Sequence, residues 1–389
     1  MRRGFKLIAL LGLCFSMAGC CPTEPPCEGT ECEENPPIDE KTVNNGILFP
    51  HVEGETEDDR YYNYCPTIFD EDGTRHIYYC SNKIHGNVTD YIAYRSATKN
   101  SDGKWVYSAV QFVLEPTAGT WDERHTCDPS VIKGEFSYKS ETYTYMMAYL
   151  GCVTSNNQDN ETGIAVAKAP AGPWVKIDAN PIVPYEMQHN GGFEWGAGQP
   201  SLVSVNKKGL VMLFYTLGNG VTTSEYVQRW DFSDLESPIK LEEKIVTTRG
   251  LKNLNGNADY INNADFGYDP FKGRIYMFKD DHPTPAGDPG VAASSTLYYL
   301  QENKDASEYY PGYTLFNIAG DSWVEVGRVD KNITGYDRNH NSGIVTDPYG
   351  WLLSDKLLDC VVTAANAMPT FWPALATYRL YQYTMSIEE

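Results

Sequence analysis

The chain has 389 residues, with 31 Lys and Arg against 52 Asp and Glu, for a formal net charge of −21. Nothing basic is clustered to neutralise phosphates, so nucleic acid and other polyanions are excluded as expected ligands. Beyond the N-terminal segment no apolar run approaches the roughly 20 residues of a membrane helix, which excludes a polytopic membrane protein built from helices.

Residues 1–20 read as an export signal. Arg2, Arg3 and Lys6 form its charged start, and the apolar stretch from Leu7 to Met17 is too short to span a bilayer. Met17-Ala18-Gly19-Cys20 resembles the lipobox of bacterial lipoproteins. The resemblance implies that Cys20 is acylated and becomes the new N-terminus; an ordinary cleaved signal is the alternative. It also implies a lipid-anchored protein of the bacterial cell envelope, on the outer membrane facing periplasm or surface, with that lipid as its membrane contact. Loss of the three signal cations takes the formal charge from −21 to −24. Residues 21–45, rich in Pro, Glu, Asn and Cys without periodicity, read as a disordered tether. Residues 46–389 are the expected folded part, opened by a strand near Gly46–Pro50 that helps to close it.

One phrase then recurs five times: a polar residue, a Pro or small residue, an apolar run, a Gly/Asp turn and an aromatic strand. The copies begin at Cys65, Asp128, Gln199, Asp265 and Asn341, in steps of 63, 71, 66 and 76. The first four are answered by the strands at Ile77–Tyr79, Tyr143–Met147, Val211–Tyr215 and Ile275–Phe278, the fifth by the shorter Trp351–Leu353. Between them, runs rich in Tyr, Val, Ile and Phe alternate with Gly, Asp and Asn turns. A repeat of this length made of short strands is the signature of radially arranged blades, none able to bury its faces alone. The fold class is therefore all-β, a five-bladed β-propeller, with blades near 60–116, 121–184, 194–248, 258–330 and 332–389. A two-sheet sandwich would leave the even spacing unexplained. Each copy would start an innermost strand, so Cys65, Asp128, Gln199, Asp265 and Asn341 are expected to ring one central pocket.

Cys127-Asp128-Pro129-Ser130-Val131-Ile132, followed by a Tyr-rich strand, Gly163-Ile164-Ala165-Val166-Ala167 and Gly172-Pro173-Trp174, resembles the five-bladed propellers of glycoside hydrolase family 43 and its relatives. The repeat pattern carries the likeness over roughly residues 60 to 385, and the second blade carries it at the level of motif. The resemblance implies an inverting glycosidase, with many relatives acting on arabinose- or xylose-containing plant glycans. It also implies a base Asp on the first blade, an Asp on the second that tunes and orients the acid, and a Glu acid on the third. Asp128 matches the second of these. The first position holds Cys65 and the third Gln199, so the usual pair of carboxyl groups is altered: a Gln has no proton to give, and a thiol beside acids is a poor base.

Inverting hydrolysis needs two carboxyl groups roughly 6.5–9.5 Å apart. Asp128 and Asp265 are the candidates within the ring, with Glu194 or His340 as proton donor. The alternatives are a turn cap before Pro129 for Asp128, backbone capping for Asp265, and plain packing for His340. Gln199, Asn341, Trp121, Trp195, Asp122 and Arg338 are candidate substrate-binding residues, on the approach loops or ring positions; either Trp could equally close a blade edge. No cofactor and no catalytic metal are expected. Asp70-Glu71-Asp72-Gly73 lacks the full spacing of a calcium loop and reads as a hairpin turn. A structural calcium ion on the propeller axis, with His340 as a candidate ligand, is the one cation the pattern leaves room for. Cys65, Cys80, Cys127 and Cys152 fall at strand ends of the first two blades, which suits either a bridge across those blades or free buried thiols.

The expected function is thus that of an envelope-anchored, glycoside hydrolase-like protein whose partner is an oligo- or polysaccharide of plant or host origin. A non-catalytic glycan-binding propeller is the alternative, and a structural or protein-binding ring a third reading. Sugar identity, linkage and endo or exo mode are not legible.

Overall fold

The computed structural model describes residues 42–48, 62–83, 88–155, 158–286, 291–301, 322–367, 375 and 377–388, all within one unit, Ile38–Glu389. The export signal, the lipid site at Cys20 and the tether through residue 41 lie outside these residues. Strand β1 (Thr42–Ile47) comes first in the chain. The first blade takes β2 (Asn63–Glu71), β3 (Thr74–Asn82), β4 (Asp90–Lys99) and two short outer strands, β5 (Trp105–Tyr107) and β6 (Gln111–Leu114), both paired with β4. The second has β7 (His125–Tyr138), β8 (Glu141–Cys152), β9 (Glu161–Ala167) and β10 (Val175–Lys176). The third has β11 (Gly196–Ser204), β12 (Leu210–Gly218), β13 (Thr223–Asp231) and β14 (Ile239–Ile245). The fourth has β15 (Ala264–Asp269), β16 (Arg274–Asp280), β17 (Ser295–Gln301) and β18 (Ser322–Val329). A one-turn helix α1 (Lys331–Thr334) leads to the fifth: β19 (Arg338–Thr346), β20 (Leu357–Ala365) and β21 (Arg379–Ser386), with β1 as its outer strand. Its second strand is thus β20 and not the expected Trp351–Leu353, where Trp351 and Leu352 make only isolated bridges to Tyr268 and Thr346.

The molecule is therefore a five-bladed β-propeller, and the closing strand comes from the start of the chain. It lies a few residues before the expected Gly46–Pro50. Thr42 to Ile47 pair antiparallel with Met385 to Tyr381, so part of the segment read as tether is a strand. Its polar composition misled because an outer blade strand is solvated: Asn44 and Asn45 donate to Ile333 O and Thr384 Oγ1 while the backbone ladder supplies the pairing. The Asp72-Gly73 pair, both at positive φ (49° and 78°), forms the two-residue hairpin turn between β2 and β3.

Second strands run almost continuously apolar because both of their faces are covered. Met146 and Met147 are successive residues of β8; the first packs in the seam with the third blade, the second in the seam with the first. Every pair of neighbouring blades encloses such a cluster, for example Phe214 stacked on Phe266 at 3.9 Å between the third and fourth. The inner strands are clasped as well. Thr67 donates to Pro129 O (2.5 Å), Ser130 Oγ accepts from Leu202 N (2.8 Å), Ser201 Oγ accepts from Phe266 N (3.0 Å), and Asp265 Oδ2 accepts from Ile344 N (2.8 Å). At the last seam β19 pairs directly with β2, and the clasp position is Gly343, where a Cβ would meet Pro66 O at 2.3 Å.

Candidate functional site

Two residues before each clasp, the inner strand turns through the left-handed region. Cys65 (φ 49°), Asp128 (44°), Gln199 (52°), Asn263 (49°) and Asn341 (46°) occupy equivalent positions in the five blades. In four of them the strand register slips there, forming a bulge that re-aims the side chain. All five residues line a cavity of about 400 Å³ at the centre of the ring. The fourth-blade member is thus Asn263, not Asp265. Asp265 belongs to the clasp row, with Ser201 Oγ on Oδ1 at 2.7 Å and the Ile344 amide on Oδ2. Burial pushes its carboxyl up to about 6 against these donors, and it reaches only a small space of about 40 Å³ on the other side of the ring residues.

Asp128 faces the cavity. Burial pushes its carboxyl up to about 6, with the charge of Asp90 adding to the rise, while the Cys65 thiol and the Gln199 amide hold it down. Its own amide points at Cys80 Sγ (2.9 Å), and Cys127 Sγ lies 3.2 Å from Oδ1. Cys80 and Cys127 form a disulfide between β3 and β7, so neither sulfur has a proton to donate. Cys65 is a free, half-buried thiol whose pKa is raised by burial and by Asp128, which leaves it a poor base. Together these four residues are the one group among the described residues whose donor atoms are close enough to share a metal ion.

His340 lines the same cavity. Burial drives its imidazole down to about 3, the nearby Arg338 adding to this and the Asn341 side chain opposing it. Neither ring nitrogen has a hydrogen-bond partner among the described residues, and the ring packs edge-on against Tyr378 at 4.8 Å. A neutral imidazole keeps one N–H but is a weak acid at ordinary pH, so the lowered pKa counts against the expected acid role, while two unpartnered ring nitrogens on the cavity suit hydrogen bonding to a ligand.

Glu194 is not the displaced acid. Its carboxylate turns into the 185–190 loop, accepting from Tyr185 OH (2.8 Å), Gln188 N (2.6 Å) and Asn190 N (2.7 Å). Burial would raise its pKa, but these donors outweigh it and the group sits below its ordinary value, ionised. Trp121 and Asp122 belong to the body of the second blade. The Trp121 ring packs on Tyr149 and over Gly151 and Gly163, where a Cβ would approach it to about 2.5 and 2.4 Å. Asp122 is buried on Lys176 Nζ (2.5 Å) and Tyr149 OH (3.0 Å). Arg338 is buried behind His340 and donates to Asp337 O, outside the cavity lining. Trp195, Gln199 and Asn341 do line the cavity.

Several lining residues have no counterpart in the sequence reading. Asp90, at the start of β4, accepts from Tyr62 OH at 2.6 Å and lies 2.9 Å from His125 Nδ1. The same nitrogen accepts a hydrogen bond from the Asp90 amide at 3.1 Å. Tyr64, Tyr378 and the exposed Phe193 add aromatic wall to Trp195. Behind the ring, buried Asp280 accepts from Asn263 Nδ2 (2.7 Å) and Asn341 N (3.0 Å), fixing two ring members at once. Burial pushes Asp280 up to about 7 despite these bonds.

No family model matches the chain, and no curated protein matches it. Solved structures do. A family 117 glycoside hydrolase of the marine bacterium Zobellia galactanivorans superposes with a TM-score of 0.54 at 12% identity, over 89% of this chain and 90% of its own. A GH62 hydrolase solved with xylotriose gives 0.52 at 12% identity, over 89% of this chain and 97% of its own. The catalytic domain of a Coprinopsis cinerea GH62 α-L-arabinofuranosidase gives 0.51 at 12% identity, over 88% and 96%. At such identity the likeness is one of fold: this chain shares the β-propeller of these glycoside hydrolases.

Proposed function

We propose that the central funnel is a saccharide-binding site, and that the protein binds plant or host glycans from a lipid anchor at Cys20 on the bacterial envelope. The carrying observation is the make-up of the cavity. Its five ring positions offer one carboxyl, one thiol and three side-chain amides, and its walls offer Tyr64, Phe193, Trp195 and Tyr378. Planar hydrogen-bonding groups against aromatic faces suit the polar edge and apolar face of a sugar ring, and the volume of about 400 Å³ suits one or two such rings. The fold shared with glycoside hydrolases supports this reading without deciding it.

Binding is favoured over hydrolysis because two of the four expected acid–base groups are committed to the fold and a third is held uncharged in the cavity. Glu194 holds a loop, Asp265 ties its blade to the two beside it, and burial favours the neutral form of His340. One observation favours a hydrolase: Asp90, held by Tyr62, lines the cavity with Asp128 and adds to the rise in the Asp128 pKa, so the cavity holds two neighbouring carboxyl groups. A panel of plant and host glycans incubated with the purified protein separates the two. Binding without release of reducing ends supports the binder, release supports the hydrolase, and neither across the panel removes the saccharide reading. For the anchor, Cys20→Ser is expected to free the protein from membranes; continued membrane association without accumulation of unprocessed chain would refute it.

A further inference from the structure

The funnel floor contains a cluster of soft and acidic donors that includes two of its ring residues, Cys65 and Asp128. The Sγ atoms of Cys65, Cys80 and Cys127 and a carboxylate oxygen of Asp128 all lie within 4.8 Å of one another. Cys65 and Asp128 hold the same ring position in neighbouring blades, and their left-handed backbones (φ 49° and 44°) aim both side chains into the cavity. Cys127 precedes Asp128, and Cys80 comes from β3 to meet it in the disulfide. Three sulfurs and one carboxylate oxygen form the donor set of a tetrahedral site for a thiophilic d10 dication. Metal–sulfur bonds of about 2.3 Å would place neighbouring donors roughly 3.5–3.8 Å apart, so the widest pairs need to close by about 1 Å at most, while the Cys80 and Cys127 sulfurs, bonded in the oxidised protein, need to move apart. Cys65, Cys127 and Asp128 line the open cavity, which gives an ion a path from solvent.

We propose that two-electron reduction of Cys80–Cys127 opens a metal site, formed by Cys65, Cys80, Cys127 and Asp128, for a dication such as Zn²⁺ or Cd²⁺. A phosphine or dithiol supplies the two electrons, and two protons enter as the disulfide becomes two thiols. The dication then displaces three thiol protons to solvent and accepts electron pairs from three thiolates and the ionised Asp128. Bridge and metal exclude each other, because the sulfurs that bond one another in the oxidised protein bond the metal in the reduced one. The site is thereby gated by redox state. Its assignment rests on the donor cluster and not on the saccharide reading, although a bound metal would occupy Cys65 and Asp128, two of the ring groups offered to a sugar.

The test is a Cd²⁺ titration of the whole chain at pH 8, oxidised or reduced with a phosphine that is then removed, reading thiolate-to-cadmium absorption and bound cadmium. Reduced protein is expected to take up about one equivalent more than oxidised protein, with a thiolate absorption band. Reduced Cys65→Ser is expected to lose this equivalent or bind it at least about tenfold more weakly. Asp128→Asn is expected to keep the band and bind about tenfold more weakly. Near-ultraviolet circular dichroism should stay native after reduction. Equal uptake by reduced wild type and Cys65→Ser would overturn the proposal, since the cysteines outside the cluster would then account for it. So would no uptake, or loss of the native signal on reduction.

Discussion

Asp265 Oδ1 receives a 2.7 Å hydrogen bond from Ser201 Oγ across the seam between the third and fourth blades. Its other oxygen holds the Ile344 amide of the fifth blade, so one side chain ties three blades together. Removing it leaves a buried amide and a hydroxyl without their acceptor, at about 1–3 kcal/mol for each such group. Asp265→Ala is therefore expected to lower unfolding stability by a few kcal/mol in urea titration while leaving glycan affinity unchanged. A large loss of affinity in a stably folded variant would return Asp265 to the binding site.

Acidification is expected to stabilise the protein. Asp128 and Asp265, raised to about 6, and Asp280, raised to about 7, keep their protons in the native state at pH values where an unfolded Asp, near 3.8, has lost its own. The native state then binds more protons, and the resulting stability is lost as pH rises from about 4 through 6 to 7. His340, lowered to about 3, acts with the opposite sign below its unfolded value of 6.5. His76, also lowered by burial, acts with His340, and buried Glu225 adds to the three carboxyl groups, which together outweigh the two imidazoles. Thermal melting is expected at a higher temperature at pH 5 than at pH 7.5, with the difference reduced in Asp280→Asn. A melting temperature that rises with pH across this window would contradict the burial of these groups.

Trp121 can lie flat on the second blade only because Gly163 has no side chain: a Cβ there would come within 2.4 Å of Trp121 Cζ2. Gly163→Ala should overpack the site and destabilise by about 1–3 kcal/mol, measured by denaturant unfolding. Trp121→Ala in the same background should recover part of the loss caused by Gly163→Ala, since it removes the clashing ring. Absence of such coupling would mean that the indole sits elsewhere.

The repeat, the blade number and the ring positions of Cys65, Asp128, Gln199 and Asn341 were legible because each bulge follows one pattern: a polar residue, Pro or a small residue, then an apolar residue at the fourth place. Asn263-Ala264-Asp265-Phe266 obeys that pattern, and its place in the ring was obscured by matching Asp265 to Asp128 on residue type rather than position. The clasp row, Thr67, Ser130, Ser201 and Asp265, was equally present in the chain, but its partners lie on the next blade, beyond the reach of local pattern. Asp90 and His125 meet 35 residues apart through the packing of β4 against β7, which no spacing announces. Glu194 looked like a displaced acid because a sequence does not tell which way a loop carboxylate turns; here three donors within its own loop decide it. The closing strand was missed by a few residues because solvated outer strands carry little hydrophobic signal.

The central claim is that the funnel around Asp128 is where a saccharide binds, and one measurement addresses it most directly. Isothermal titration of a glycan found in the panel is compared between wild type, Asp128→Asn and Trp195→Ala, each checked for an intact fold by circular dichroism. Asp128→Asn removes a charged acceptor for sugar hydroxyls, and Trp195→Ala removes an aromatic wall, at about 1–3 kcal/mol each, so affinity should fall roughly tenfold or more in both. Unchanged affinity in both folded variants would place the ligand outside the funnel and contradict the account.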